Sequence, residues 1–131
     1  MAYKTFDLKT FVDEKGSLTP MELKDLIDFD VKRVYTVHHN KTARGGHCHK
    51  VEEEFFFMGE GTCTAKIHNG SDWVEIEMNN EQALYVGQKV WHEFDNFSDG
   101  SVLVALSSTN YNPDRSDYVE DFNDFLEYVS V

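Results

Sequence analysis

Residues 44–54 read RGGHCHKVEEE and hold an unusual density of ionisable side chains. His47 and His49 are separated by one residue, two glycines precede them and three glutamates follow shortly after. Alternate residues of a strand project from the same face, about 6–7 Å apart along the chain. We therefore expect both imidazoles on one face. There they serve as two metal ligands or as an acid/base pair, unless the segment is an ordinary solvated hairpin.

Length and composition limit the classes of protein that fit. The chain has 131 residues, so we expect a single domain with one core over residues 1–131. With 40% apolar and 14% aromatic residues it is too hydrophobic to be disordered. The formal net charge of −12 argues against binding to nucleic acid or to an anionic membrane. No apolar run approaches membrane-spanning length. We therefore expect neither nucleic acid nor a membrane as a partner.

Positive charge is concentrated near the two histidines. Residues 32–50 contain five of the 12 Lys and Arg residues and four of the six histidines. A basic segment in an acidic chain favours a small anionic ligand. Taken one at a time, each of these charges is better explained by solvation of a hairpin.

The two cysteines and the N-terminal residues bear on location. Residues 1–7 lack the apolar segment of a signal peptide, and Cys48 and Cys63 are the only cysteines. We expect a cytoplasmic protein with reduced thiols. Because Cys48 lies between the two histidines, it should face the opposite side of the strand and be buried.

Alternating polarity and turn residues predict an all-β sandwich or barrel. Strands are predicted at residues 4–12, 31–38, 44–49, 54–58, 62–68, 73–78, 83–86, 91–94 and 101–107, with a short helical turn at 21–27. Residues 114–131 carry Tyr118, Phe122, Phe125 and Val129 at helical spacing, which predicts an amphipathic C-terminal helix covering the barrel. We expect the aromatic side chains of this helix to pack rather than to contact a ligand.

Later residues extend the histidine pair into a spaced pattern. Glu54 follows His49 by five positions, Gly61 follows after six more residues, and His92 precedes Asn96 by four. This pattern resembles the two motifs of the cupin superfamily. The resemblance implies a small β-barrel or jelly roll, with a short C-terminal helix and a site in the barrel mouth.

The cupin pattern contains a possible metal site. Taken literally, it gives the ligand set His47, His49, Glu54 and His92, which suits Fe(II), Mn(II), Ni(II), Cu(II) or Zn(II). Glu52, Glu53 and Glu54 are consecutive, so spacing alone does not decide which of them points inward. A metal-dependent enzyme and a non-catalytic nucleotide-sugar-binding cupin are therefore two alternatives to a metal-free enzyme.

A narrower resemblance rests on several stretches that occur in one order. They are KGSL (15–18), KRVY (32–35), RGGHCHK (44–50), LYVG (84–87), VWHE (90–93), DNFSDG (95–100) and the tail from Tyr111 through Asp117 and Tyr118 to residues 124–126. Together they resemble the WxcM-like cupins, nucleotide-sugar 3,4-ketoisomerases that act on TDP-4-oxo-6-deoxy-glucose. The resemblance covers nearly the whole chain.

The resemblance implies a reaction that needs no metal or other cofactor. A 4-oxo sugar becomes its 3-oxo isomer through an enediol intermediate, on the way to the 3-amino-3,6-dideoxy sugars of surface glycans. Histidine suits both proton transfers, because its ordinary pKa lies near working pH. His47 and His49 are the implied acid/base pair, with neither assigned to a particular carbon. Tyr35 aligns with an active-site tyrosine of the family and is expected to polarise the carbonyl or relay a proton.

The resemblance also implies substrate contacts and a partner. Arg44 and Lys50 are expected to bind the nucleotide diphosphate, where several donors are useful. Arg33 and His92 are the other expected substrate contacts. The substrate is a TDP-linked 4-oxo-6-deoxy sugar, and the expected assembly is a homodimer with exchanged N-terminal strands. The configuration of the product at C4 does not follow from the sequence.

Overall fold

Short antiparallel strands make up most of the chain, as the alternating sequence predicts. The computed structural model describes residues 2–130. Its strands are β1 (Tyr3–Asp7), β2 (Phe11–Asp13), β3 (Gly16–Leu18), β4 (Arg33–His38), β5 (Arg44–His49), β6 (Glu54–Glu60), β7 (Cys63–His68), β8 (Trp73–Met78), β9 (Gln82–Val86), β10 (Trp91–Asp95), β11 (Val102–Ser107) and β12 (Tyr118–Val119). The helix α1 spans Phe122–Val129, and none of the helices in the described part of the chain is long and apolar enough to cross a membrane.

The strands form two five-stranded sheets that share one core. Their orders are β1-β9-β6-β11-β4 and β12-β5-β10-β7-β8, and β2 and β3 form a separate hairpin. Phe56 and Leu103 from the first sheet belong to the same buried cluster as Ile67 and Phe94 from the second. The two sheets therefore face each other across a hydrophobic core, as in a jelly roll, and do not join into a closed barrel.

Strand β4 confirms the alternation read from the sequence. Arg33, Tyr35 and Val37 are partly buried, whereas Val34 and Thr36 between them are exposed. Tyr35 lies opposite Ala105 of β11, so its ring enters the space between the sheets.

A glycine at the start of β5 sets the register of the site. Gly45 has a φ of +90°, and a Cβ there would lie 2.9 Å from the carbonyl oxygen of His92. The pairing of β5 with β10 shifts between His92 and Glu93, and it places His92 opposite His47. Only glycine allows this close approach without strain, so Gly45 helps to bring the two histidines together.

We expect Gly45→Ala to lower the free energy of unfolding by about 3 kcal/mol, since it adds a backbone contact to a positive φ. Gly100 is a matched control because it has a φ of +72° but open space around its missing Cβ. Gly100→Ala should cost only about 1 kcal/mol. Urea denaturation of both variants tests the difference, and equal losses would show that the contact with His92 does not matter.

The N-terminal predictions hold in part. The first predicted strand is divided into β1 and β2, because residues 8–10 leave the sheet. The predicted helical turn is present as a shorter 3-10 turn, Leu23–Asp25.

The prediction of a helix from residue 114 is wrong at its start. Asn112 and Asp114 use their side chains to accept backbone N–H groups in local turns, which competes with helix formation. The helix begins only after Asp121, whose carboxylate accepts the backbone N–H of Asp124 at 3.0 Å. Tyr118 therefore belongs to β12 and not to the helix. The predicted end at Val131 lies outside the described residues.

The face of β5 opposite the histidines packs beneath the helix. Cys48 is fully buried in a cluster with Trp91 and Phe125, as its position between the histidines predicts. Burial raises the pKa of its thiol to about 11. Cys63 is also buried and unpaired, and burial raises its pKa to about 12. Both thiols are packing residues with little thiolate at neutral pH.

Candidate active site

Three histidines on neighbouring strands line a cavity of about 270 Å³. His47 and His49 project from the same face of β5, and His92 comes from β10. The ring centroid of His47 is 4.8 Å from that of His49 and 4.8 Å from that of His92. The alternation of β5 and the register with β10 thus assemble the cluster.

Glu54 lies at the centre of the cluster although it comes from the other sheet. It is 1% exposed, and its Oε1 lies 3.2 Å from His49 Nε2 and 3.3 Å from His92 Nε2. Its Oε2 accepts a short hydrogen bond from the hydroxyl of Tyr35. Glu54 is therefore the glutamate of the run 52–54 that contacts both His49 and His92, whereas Glu52 approaches only His49, at 3.9 Å from its Nε2.

Glu52 and Glu53 have other partners. Glu52 accepts two hydrogen bonds from Nη2 of Arg33, at 3.1 and 3.2 Å. Glu53 accepts a hydrogen bond from the Tyr85 hydroxyl at 2.5 Å.

Glu54 and His49 form a buried ion pair. Burial alone would raise the pKa of Glu54, but the interactions with His49 and His92 outweigh it and hold the pKa well below its ordinary value. Burial likewise opposes the charged form of His49, but the neighbouring carboxylates, Glu54 above all, raise its pKa. Neither His49 Nε2 nor Glu54 Oε1 has a partner with hydrogen-bond geometry, so the contact is mainly electrostatic.

The pKa of His47 is shifted in the opposite direction. Burial lowers its pKa to about 2, and the neighbouring imidazoles of His92 and His49 act in the same direction. Burial and the nearby carboxylate of Glu54 raise the pKa of Tyr35, so its hydroxyl keeps its proton and donates it to Glu54. The cavity therefore brings together a protonated phenol and two imidazoles, His47 and His49, whose pKa values are shifted in opposite directions.

Comparison with known proteins identifies the family. The family described as "FdtA: WxcM-like, C-terminal" matches residues 1–130. The chain belongs to this family. It is 34% identical over 133 residues to the TDP-4-oxo-6-deoxy-alpha-D-glucose-3,4-oxoisomerase of Aneurinibacillus thermoaerophilus, covering 99% of this chain and 94% of the relative.

Solved structures agree with this assignment. A 3,4-ketoisomerase from Helicobacter canadensis matches with a TM-score of 0.88 and 34% identity over 100% of this chain and 99% of that one. The sugar 3,4-ketoisomerase QdtA from Thermoanaerobacterium thermosaccharolyticum, in complex with TDP, matches with a TM-score of 0.87 and 30% identity, covering 98% and 95% of the two chains. The resemblance, the jelly roll and the enzyme class expected from the sequence, a sugar-nucleotide 3,4-ketoisomerase, are confirmed.

In this WxcM-like chain most of the residues singled out from the sequence meet at the cavity. The lining includes the expected residues Arg33, Tyr35, Arg44, His47, His49 and His92. Lys50 is the exception, since it is exposed, does not line the cavity and has its ammonium group 5.9 Å from the ring centre of Tyr128. Its contact with substrate stays a prediction.

Three further residues of the WxcM-like site come from the segment before the helix. Tyr118 packs its ring against His47 and His49, with centroid distances of 4.9 and 4.5 Å. Arg115 lies 3.9 Å from the centre of the Tyr118 ring, and Tyr111 also lines the cavity. The sequence analysis did not assign them to the site: it placed Arg115 and Tyr118 in the predicted helix and named Tyr111 only as part of the family resemblance. The turn residues around Pro113 were the signal that argued otherwise.

The WxcM-like site also offers a set of groups that fits a divalent metal ion. One ligand atom each from His47, His49, Glu54 and His92 lies within 4.8 Å of the others. His49 Nε2 and Glu54 Oε1 are both buried without a hydrogen-bond partner, as two ligand atoms would be before an ion binds. An ion held there would supply a Lewis acid at the base of the cavity.

Proposed function

We propose that the chain converts TDP-4-oxo-6-deoxy-glucose to a TDP-3-oxo-6-deoxy-hexose by histidine acid/base catalysis through an enediol. The observation that carries this mechanism is the pair of adjacent imidazoles of His47 and His49 in one cavity, whose surroundings shift their pKa values in opposite directions. The substrate is the one in the name of the Aneurinibacillus thermoaerophilus relative. A ketoisomerase needs one group to take a proton and another to give one, and these two histidines meet that need.

The opposite pKa shifts suggest a role for each histidine. The lowered pKa of His47 keeps its imidazole unprotonated and able to accept the proton from C3 of the sugar. The raised pKa of His49 favours its protonated form, which delivers a proton to C4 of the intermediate. The 4.8 Å between the ring centroids lets one bound sugar contact both. Proton exchange between the two imidazoles, directly or through solvent, then restores the starting state.

Tyr35 completes the proton balance. When the carbonyl moves from C4 to C3, one proton must also move from O3 to O4. The Tyr35 hydroxyl stays protonated and has Glu54 as its acceptor, so it can give its proton to O4 and regain one from O3. No redox partner is required, because the sugar is both oxidised at C3 and reduced at C4.

We propose that arginines at the cavity hold the diphosphate. Arg44 is exposed at the start of β5 and belongs to none of the ion pairs among the described residues. Arg33 has its charge partly balanced by Glu52, and Arg115 pairs with Glu120 at 2.6 Å. Arg44 is therefore the strongest candidate for a charge-assisted contact with phosphate.

The setting of the reaction is part of the proposal. A 3-oxo sugar is the substrate that an aminotransferase needs to make a 3-amino-3,6-dideoxy sugar. The two buried, unpaired cysteines are compatible with a reducing compartment, which supports the proposed cytoplasmic location.

We further propose a homodimer in which N-terminal strands are exchanged. Within one chain β1 pairs with β9, and the hairpin β2–β3 lies outside both five-stranded sheets. Three apolar side chains of the hairpin are exposed, Phe11 at 50%, Val12 at 74% and Leu18 at 67%. A second copy that covers this hairpin would bury them.

Replacing Val12 with aspartate is expected to weaken the dimer, because burying an unpaired charge is costly. Sedimentation velocity at micromolar concentration should show a dimer for the unmodified protein and more monomer for Val12→Asp. A monomeric unmodified protein at that concentration would contradict the proposed assembly.

The experiment that tests the function is NMR of TDP-4-oxo-6-deoxy-glucose incubated with the protein in D2O, with and without EDTA. We expect a new 3-oxo species with deuterium at C4. The remaining 4-oxo substrate should exchange its C3 hydrogen for deuterium, and both changes should proceed at the same rate with and without EDTA. The proton couplings of the product would also give its configuration at C4. An unchanged spectrum would refute the proposed conversion of TDP-4-oxo-6-deoxy-glucose.

A metal-dependent enzyme is the second candidate, because His49 Nε2 and Glu54 Oε1 are unpaired and converge with His92. Turnover that EDTA abolishes and that a divalent ion restores would favour it. Binding of TDP without turnover would instead indicate a nucleotide-sugar-binding protein.

A further inference from the structure

The carboxylate of Asp117 joins the turn after β5 to one of the histidines. Its Oδ1 accepts the backbone N–H groups of Lys50 at 3.0 Å and Val51 at 2.6 Å. Its Oδ2 accepts the backbone N–H of Glu52 at 3.3 Å and lies 2.9 Å from Nδ1 of His49. Four donors therefore converge on one side chain, and three of them are fixed by the main chain.

This arrangement determines where His49 carries a proton. Both oxygens of Asp117 already accept backbone N–H groups, and a carboxylate has only acceptor atoms. Nδ1 of His49 must therefore carry the hydrogen of their contact. The opposite nitrogen, Nε2, then faces Glu54 and the cavity.

The backbone makes the arrangement rigid. Strand β12 pairs with β5, with Tyr118 opposite His49. The backbone N–H of Lys50 donates to the carbonyl oxygen of Asp117 at 2.9 Å. The pairing of the next residue, Tyr118, and the hydrogen bond to the carbonyl of Asp117 itself therefore hold Asp117 against His49. The imidazole of His49 is thereby given one orientation.

We propose that Asp117 is a positioning residue for the isomerisation. It keeps a hydrogen on Nδ1 of His49, so that Nε2, which faces the cavity, is the nitrogen that exchanges its proton with the substrate. The proposal rests on the proposed ketoisomerase function. Asp117 acts through His49 and touches no reacting atom. A purely structural carboxylate would hold the turn but would not control the imidazole, so the two roles can be separated.

The variant Asp117→Asn separates them. Its amide oxygen can still accept the N–H groups of Lys50 and Val51, which keeps two of the three hydrogen bonds from the turn and loses the one from Glu52. Its NH2 group replaces the oxygen that faces His49, so Nδ1 must become an acceptor and lose its proton. We expect kcat to fall at least about 10-fold with little change in KM, as is typical when the partner that orients a histidine is lost.

The matched control is Asp121→Asn. Asp121 also accepts a backbone N–H, from Asp124, but it caps the helix and does not contact a histidine. Asparagine caps helices about as well as aspartate, so stability and kcat should stay unchanged. Asp117→Glu keeps the carboxylate and should recover part of the activity that Asp117→Asn loses.

¹⁵N NMR of the histidine side chains reads the tautomer directly. Above the pH at which His49 loses its charge, the His49 Nδ1 signal of the unmodified protein should keep the shift of a protonated nitrogen, and in Asp117→Asn it should move to that of an unprotonated one. An unprotonated Nδ1 in the unmodified protein would overturn the proposal even if the variant failed to fold. So would a folded Asp117→Asn with unchanged kcat. A protein without any isomerase activity would instead refute the proposed function, whatever the tautomer.

Discussion

Replacing His47 with asparagine is expected to lower kcat by about 10²–10⁴-fold, the usual contribution of a general acid or base. Asparagine keeps a polar side chain of similar reach but cannot accept a proton from carbon at neutral pH. KM should change little, because the arginines that we assign to the diphosphate are untouched. Rates of product formation followed by NMR provide the measurement.

The same substitution should leave the fold intact. His47 is neutral and forms none of the ion pairs among residues 2–130, so its loss uncovers no buried charge. His49→Asn is different, since it leaves Glu54 buried without its partner, and it should lower both kcat and stability. His38→Asn is the control, because His38 is exposed on β4 and should retain full activity. A His47→Asn protein with full turnover would disprove the mechanism.

Replacing Glu54 with glutamine is expected to have the largest effect on stability. Glu54 is buried beside His49 and His92 and accepts a hydrogen bond from Tyr35. Removing one partner from a buried ion pair costs about 3–5 kcal/mol, because the other charge is left without compensation. Glu60→Gln is the control on the same strand, since Glu60 is exposed. Urea denaturation would measure both.

The pH dependence of stability should identify the pair. The folded pKa of Glu54 lies below the ordinary 4.5, so its contribution is present above about pH 4.5 and is lost as the pH falls through the folded value. The folded pKa of His49 lies above 6.5, so its contribution is present below about pH 6.5 and is lost as the pH rises through the folded value. The pair therefore stabilises most between those two values.

Glu54→Gln should consequently lose most stability near pH 5.5 and less at high pH, where the unmodified protein has already lost the charge on His49. A loss that does not depend on pH would mean that Glu54 contributes by packing and hydrogen bonding alone. The same substitution should also reduce kcat, because His49 loses its counter-charge and the carboxylate that accepts the Tyr35 hydrogen bond becomes an amide.

Much of the strand pattern followed from the sequence, because alternation is a local property. Side chains two residues apart share a face whatever the strand pairs with, so His47 and His49 were placed together and Cys48 was placed opposite. The burial of β4 follows the same alternation, with Tyr35 partly buried between the exposed Val34 and Thr36. The bounds of β5 agree with those that the alternation predicts.

Local polarity was a poorer guide to the C-terminal segment. The aromatic spacing that predicts a helix is real from Phe122 onward, where the side chains pack over Cys48 and Trp91. Upstream, the side chains of Asn112 and Asp114 accept backbone N–H groups and so hold turns that the hydrophobic periodicity does not detect. The site residues of this segment were therefore assigned to the wrong element.

The sequence by itself determined the strand faces, the histidine pair and the family. Only the tertiary structure decided which glutamate enters the cluster, since Glu54 reaches His49 from the opposite sheet. It also decided that His92 lies opposite His47 and that Asp117 meets His49 across 68 positions of sequence. These contacts depend on strand register and on the packing of one sheet against another, and no spacing within a single segment specifies either.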